Sequence, residues 1–445
     1  MKKLLVVLLS LFLSFSLLFA SGAKEESVKN EGKLGDEPVT ITFWHSASDE
    51  AGVLMDKFIN SFNETNPYKI TVKGVYQGQY SDATTLMKTI ISAENYKELP
   101  DVMQMDATGK VDYFSSGRAF TASDAFREYE DISSLYIPVA LSNWEYQGVT
   151  LGLPFALSTT ITFYNVDMLK AAGWDKAPDT FEDIIELKKD MDKAGIEAAS
   201  YGTVPNTPLL ANWLGQMGSY LVNNKNGSDS MATELDCVEN GKLEEFLSEW
   251  KNLYDEGGVE NRSLSTNQFV SGEVAVFTSS SSNVSSVLEK VGDRFTVGTS
   301  QFIRVNDEAE YGATVSGSCL VMFESQDELR KKASWEFIKY LTGKEVQAEF
   351  AVSSGYIPSN LEALESQEYK AKLEENPQYR VAPEQLLSTP KEMKSVTVGP
   401  SADFYYAIMN GVSDMLKNNT DVKKATEEIS SSLLSLLDQY RRNNI

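Results

Sequence analysis

Histidine is almost missing from this chain. His45 is the only one in 445 residues. A Ser/His/Asp or Cys/His nucleophile set therefore has a single imidazole to draw on, and that residue lies in Phe43-Trp44-His45-Ser46 with no G-x-S-x-G turn nearby. Cysteine is nearly as scarce. With only Cys237 and Cys319, no Cys/His cluster has metal-ligand spacing, and two cysteines this far apart give no disulfide framework. A bond between them is open in an oxidising compartment. The apolar run Cys319-Leu320-Val321-Met322-Phe323 argues for a buried thiol at the second. Glycine-rich phosphate loops are absent, so no cofactor is expected. Nothing singles out two of the 64 acidic residues for acid–base work, and the chain reads as a non-enzyme. Positive charge is short as well, with 40 Lys and Arg against those 64. The excess repels nucleic acid and anionic lipid, and no basic run reverses it locally.

What the N-terminus does contain sets the compartment. Lys2 and Lys3 precede an apolar run from Leu4 to Phe19, followed by small residues at Ala20, Ser21, Gly22 and Ala23. That is the order of a cleavable secretory signal, and about 16 residues is short of the ~20 that span a bilayer. We assign residues 1–23 to the signal. No cysteine follows the small residues, so no lipid anchor is indicated and the mature chain is expected free in the periplasm. Removing the two lysines takes the net charge from −24 to −26. Residues 24–37 are polar, with little to bury, and read as a flexible tether.

Beyond Pro38 the pattern alternates. Val39–Trp44 is rich in β-formers; Val53, Leu54, Phe58, Ile59 and Phe62 recur at helical spacing and stop at Asn66-Pro67; Lys69–Tyr76 and Asp101–Met105 are again strand-like. This is an α/β unit with a parallel sheet, whose ligands sit at the carboxyl ends of the strands. A second round begins at Thr160–Tyr164. Thr180 with Asp183 forms a capping box before Ile184, Ile185, Leu187 and Met191, and Ser325 with Glu328 repeats the device. The chain closes on a helix carrying Val422, Ile429, Leu433, Leu436 and Tyr440. Two such units predict two lobes with a small-molecule cleft between them.

Aromatics fall in or beside turns at Trp44, Tyr76, Tyr80, Trp213, Tyr356, Phe404, Tyr405 and Tyr406. A sugar shows C–H groups on its faces and hydroxyls on its edges, so its site needs a flat ring and a polar rim. In this setting, Phe43-Trp44-His45-Ser46, Tyr76-Gln77-Gly78-Gln79-Tyr80, Pro154-Phe155-Ala156-Leu157-Ser158-Thr159, Val276-Phe277-Thr278-Ser279-Ser280, Ser316-Gly317-Ser318 and Ser354-Gly355-Tyr356-Ile357-Pro358 follow one another in order. In these motifs the chain resembles the family 1 extracellular solute-binding proteins of ATP-driven (ABC) importers, the group that holds maltose- and glycerol-3-phosphate-binding proteins.

The resemblance implies a type II, Venus-flytrap fold with hinge crossings near residues 157, 313 and 345. Lobe one is then 38–157 with 313–345, and lobe two is 158–312 with 346–445. It also implies a monomer that delivers its solute to permease subunits in the inner membrane. Positions matching the glycerol-3-phosphate type give ligand contacts at Tyr80, Ser158, Ser280, Gly317 and Tyr356. A carboxylate contact falls beside Asp106. A stacking tryptophan has Trp213 as its nearest aromatic, six places away. The phosphate-facing arginine of that type falls at Tyr405, and tyrosine cannot replace its charge. Ser401-Ala402-Asp403-Phe404-Tyr405-Tyr406 looks instead like the maltose type, where an aromatic stacks on a sugar ring. The expectation is a carbohydrate, with glycerol-3-phosphate or a glycerophosphodiester as the alternative. A secreted carbohydrate-active enzyme with a carboxylate pair and a chemosensory role are the further readings.

Overall fold

Residues 33–325 and 327–444 are described by a computed structural model; the expected signal and residues 24–32 of the expected tether lie outside them. The tether's last residues are structured, since Leu34 and Glu37 form a bridge and Leu34 packs against the first core. The β-rich run becomes Val39–His45 (β1), and the helical pattern becomes Asp49–Thr65 (α1). Asn66 ends that helix by a side-chain device. Its carboxamide accepts from the backbone N–H of Tyr68 and Ile70 and donates to the carbonyls of Phe62 and Ile70, which turns the chain into Ile70–Tyr76 (β2). Gly78, at φ 80°, makes the next turn in a region few side chains tolerate. A capping box from Gln79 and Asp82 then opens Tyr80–Ser92 (α2). The unit closes with Val102–Asp106 (β3). Both β2 and β3 run parallel to β1, with Val39 opposite Ile70 and Phe43 opposite Val102.

The second expected strand, Thr160–Tyr164, is the far half of a thirteen-residue strand, Leu153–Asn165 (β4). Ala199–Gly202 (β5), Val274–Ser280 (β6), Val297–Ser300 (β7) and Val315–Phe323 (β8) belong to the same ten-stranded sheet, whose main order is β2-β1-β3-β8-β4-β6-β5. Off that path β7 and Ile357–Pro358 pair with β4, and Ala119–Phe120 pairs with β8. The near half of β4, Leu153 to Thr159, pairs antiparallel with β8. From Thr160 onward it pairs with β6. One strand thus carries the chain from the first unit's sheet into the second's. Pro154 is tolerated near its start because the β8 register shifts between Ser318 and Cys319, and a bulge removes the need for the N–H that proline lacks.

Two large cores lie on either side of that passage. The first gathers Phe43, Phe58, Phe62 and Phe337 around β1 and α1. The second surrounds Phe181–Lys193 (α3), Thr207–Gln216 (α4) and Lys242–Asp255 (α5), and it contains Ile184, Ile185, Leu187 and Met191 as the capping-box pattern predicted. Each large side chain buried here contributes roughly 1.5–3 kcal/mol. The later helix Glu328–Leu341 (α6) starts one device later than expected. Its N-cap is Asp327, which accepts from the N–H of Leu329 and Arg330, while Ser325 accepts from Asp327. Lys344–Ser354 (α7), Ser401–Lys417 (α8) and Val422–Asn444 (α9) finish the chain. Cys237 and Cys319 are free, buried thiols.

Candidate functional site

Residues directly opposite one another in paired strands share a face, as do residues two apart along one strand. Asp106 lies opposite Ser318, Ser316 opposite Ser158, and Thr160 opposite Ser280. Gln104 stands two before Asp106. A polar stripe therefore crosses one face of the sheet from the carboxyl end of β3 to that of β6. Ser316 is exposed, Asp106, Thr160 and Ser280 are partly exposed, and Gln104, Ser158 and Ser318 are buried. Hydroxyls on an otherwise apolar sheet carry a desolvation cost unless they are bonded, and several of these are.

Gln104 joins three elements. Its carbonyl oxygen accepts from the N–H of Ser46, just past β1, at 3.1 Å. Its nitrogen donates to Ser318 Oγ at 2.9 Å and to Tyr80 Oη, on the first residue of α2, at 3.1 Å. Burial pushes the Tyr80 phenol well above its ordinary pKa, with Tyr356 and Asp106 adding to the effect and Ser318 opposing it. It therefore stays a neutral hydroxyl at any ordinary pH. Tyr356 reaches this place because Gly355, at φ 80°, ends α7. The Tyr356 ring stacks on Phe350, with centroids 5.5 Å apart and planes 11° apart. Asp106 caps the short turn after β3, accepting from Thr108 N–H at 3.2 Å and Thr108 Oγ1 at 2.6 Å. Burial raises its pKa and those bonds oppose the rise.

Below Asp106 lies Lys110, fully buried. Its ammonium donates to the Asn143 carbonyl at 2.8 Å and lies 5.8 Å from the Trp144 ring centre. Burial pulls its pKa down to about 8. On the far side, Asn212 of α4 donates to Thr160 Oγ1 at 3.2 Å and accepts from the N–H and hydroxyl of Thr314, which extends the polar surface into the second unit.

Of the residues anticipated from sequence, Tyr80, Asp106 and Tyr356 meet as one cluster, and Ser158 and Ser280 lie on the same stripe. The Ser280 hydroxyl lies 2.9 Å from that of Ser282 and caps the turn Ser281–Asn283. Gly317 is different in kind. At φ 107°, a Cβ there would stand 1.8 Å from the Ala156 carbonyl oxygen, so the glycine is required by the approach of two backbones. Trp213 is a correction. It is 0% exposed, bonds the Ile303 carbonyl through Nε1 at 3.1 Å and packs against Phe181, Phe246, Trp250 and Phe302. The core takes its whole surface and leaves none for a ligand. Its neighbour Asn212 is the residue of α4 that reaches the stripe. Tyr405, partly exposed in the second turn of α8, sets its ring against Tyr406 at 5.3 Å.

Sequence reasoning passed over Gln104, Lys110 and Asn212. Gln104 had a legible signal, since it is the one amide inside Val102-Met103-Gln104-Met105. Lys110 and Asn212 are polar residues of short helices, and only tertiary packing singles them out.

Comparison with known proteins agrees with this architecture. The model of a family described as bacterial extracellular solute-binding protein matches residues 57–378. The chain is 26% identical, over 79% of its length and 81% of the relative's, to the sn-glycerol-3-phosphate-binding periplasmic protein UgpB of Shigella flexneri. Among solved structures it resembles a cyclic alpha-maltosyl-1,6-maltose binding protein from Arthrobacter globiformis (TM-score 0.77, 16% identity, 91% of this chain and 100% of that one). It also resembles UgpB from Mycobacterium tuberculosis in complex with glycerophosphocholine (TM-score 0.71, 21% identity, again 91% and 100%). At these identities the structural likenesses establish the fold, two lobes of the maltose-binding type.

Proposed function

The chain belongs to the bacterial extracellular solute-binding proteins, and from that premise we propose that it captures a carbohydrate between its lobes and hands it to the membrane subunits of an ABC importer. The observation that carries the choice of solute is the chemistry of the stripe. Tyr80, Ser158, Thr160, Ser280, Ser316 and Tyr356 offer neutral hydroxyls, and Asp106 offers a carboxylate. A carboxylate accepts readily from the hydroxyls of a sugar or other polyol, and a phosphate ester needs a cation beside them. The cations coupled to Asp106 or to one another are already engaged. Lys110 is buried against Asn143, and Lys394 pairs with Glu145 at 2.7 Å. Tyr405 replaces the arginine that a phosphate ester calls for, and in this reading it stacks on a sugar ring when the lobes close.

We take the lobes as 38–157 with 313–345 and 158–312 with 346–445. The passage of β4 from one set of partners to the other after Thr159 supports a hinge there. A solute touching both lobes favours the closed form, because only that form presents both surfaces. The mature protein is read as a periplasmic monomer that binds without turnover and does not bind nucleic acid. Among the described residues no helix is long and apolar enough to cross a membrane.

A second reading, glycerol-3-phosphate or a glycerophosphodiester, is favoured by the name of the Shigella flexneri relative. Intrinsic fluorescence of the mature chain, titrated with maltose, glucose, larger maltodextrins, glycerol-3-phosphate and glycerophosphocholine, separates the two. Saturation by a neutral saccharide supports the first reading, and saturation by the phosphates alone replaces it with the second.

A further inference from the structure

Resting on the reading of this stripe as a solute-binding wall, we propose that Gln104 is a positioning residue that fixes Tyr80 as a hydrogen-bond donor to the solute, and so selects a solute with an acceptor oxygen at that place. Gln104 is 2% exposed in a strand whose neighbours are valine and methionine. Each polar atom of a buried amide needs a partner, and here each has one. The carbonyl oxygen faces the Ser46 N–H at 3.1 Å, and the nitrogen lies 2.9 Å from Ser318 Oγ and 3.1 Å from Tyr80 Oη.

The direction of these bonds follows from elementary chemistry. A backbone N–H only donates, so the atom opposite Ser46 must be the carbonyl oxygen, and flipping the amide would set two donors face to face. The nitrogen is then aimed at Ser318 and Tyr80. An amide nitrogen offers no lone pair to accept with. The Tyr80 oxygen is therefore the acceptor, and its single hydrogen is turned away from Gln104. Ser318, whose Oγ already accepts from Gln104, shares a side-chain hydrogen bond with the same phenol oxygen and holds its pKa down, as a donor does; the Tyr80 hydrogen then points away from both. Tyr80 is partly exposed on the stripe, with Tyr356 and Asp106 as neighbours. Its free donor accordingly suits a ring, glycosidic or hydroxyl oxygen of the solute. Gln104 itself, being enclosed, acts through Tyr80.

The test substitutes Gln104→Glu, which keeps the shape and the acceptor for Ser46 but puts a carboxylate where the donor was. The Tyr80 hydrogen then turns inward to that carboxylate. The first readout needs no solute. The tyrosine Fermi doublet in the Raman spectrum, isolated by subtracting the spectrum of Tyr80→Phe, has an intensity ratio that is high for an accepting phenol and low for one donating to a carboxylate. A high ratio in the parent that falls in Gln104→Glu is expected, and an equal ratio in both overturns the proposal. Should Gln104→Glu fail to fold, Gln104→Met removes the donor and is expected to lower the ratio too, with no change as the contrary result.

The second readout is fluorescence titration with maltose. Gln104→Glu is expected to weaken binding about tenfold, and in a Tyr80→Phe background by about twofold or less. Equal losses in both backgrounds contradict action through the phenol. A parent that binds none of the saccharides fails the carbohydrate reading instead, and the Raman result still decides the role of Gln104.

Discussion

Replacing Lys110 with methionine isolates one buried charge and gives a stability difference that reverses with pH. The ammonium is fully enclosed, donates one hydrogen bond, to the Asn143 carbonyl, and has no ion pair among the described residues. Burial is the main reason its pKa falls from 10.5 to about 8. Lys394 adds to the fall, while Cys319, Asp106 and Glu145 partly oppose it. Below pH 8 the lysine is charged in both folded and unfolded chains, and the folded state bears the full cost. Between pH 8 and 10.5 the unfolded chain holds more protons, so stability rises with pH across that window. The span from 10.5 to about 8 corresponds to ~3 kcal/mol. Methionine fills a similar volume without the charge, and it leaves the Asn143 carbonyl without its donor at a cost of about 1–2 kcal/mol. Lys110→Met should then be more stable than the parent by roughly 1–2 kcal/mol at pH 7 and less stable by a similar amount near pH 11. Urea unfolding of both proteins, followed by circular dichroism at the two pH values, measures this directly, because other titrating groups cancel in the difference. A difference that is the same at both pH values refutes the reasoning.

Three further substitutions separate structural from binding roles. Trp213→Ala removes a fully buried ring from the second core and should cost about 3–5 kcal/mol, read by thermal or urea unfolding; a loss under 1 kcal/mol would contradict its place there. Gly317→Val puts a side chain into the Ala156 carbonyl at a positive φ, and a soluble variant with unchanged melting temperature would count against the close approach of β4 and β8. Tyr405→Ala, on a half-exposed helix face, should leave the melting temperature of the free protein nearly unchanged and weaken sugar binding by ~1 kcal/mol or more, with unchanged affinity removing the stacking role.

Much of the fold was legible because local signals agreed. The parallel unit from β1 to β3 follows from period and from the helix stop at Asn66-Pro67, and the Thr180 capping box forms as its spacing implied. Legibility failed where two local solutions competed. Ser325 and Asp327 both suit a cap, and the aspartate wins because its carboxylate reaches two N–H groups at once. The start of β4 was hidden by Pro154, which a strand admits only because β8 shifts register opposite it. At the site, Tyr80 and Tyr356 lie beside glycine turns, but only the resemblance to the solute-binding family set them apart from the core aromatics. Trp213 could not be judged, since an amphipathic helix presents either Asn212 or Trp213 to the sheet and only packing decides which. Gln104 is visible in hindsight as a lone amide among apolar strand residues, but its three partners come from elements 24 to 214 positions away.

The central claim, that this wall is built for a neutral polyhydroxylated solute, is tested most directly by the thermal shift of the mature protein with saturating maltodextrin beside saturating glycerophosphocholine. A ligand bound only by the native state raises the melting temperature, by about 2.7 kcal/mol of added stability at a hundred times its dissociation constant. The account predicts that rise with the saccharide and none with the phosphodiester. A rise with glycerophosphocholine alone would contradict it.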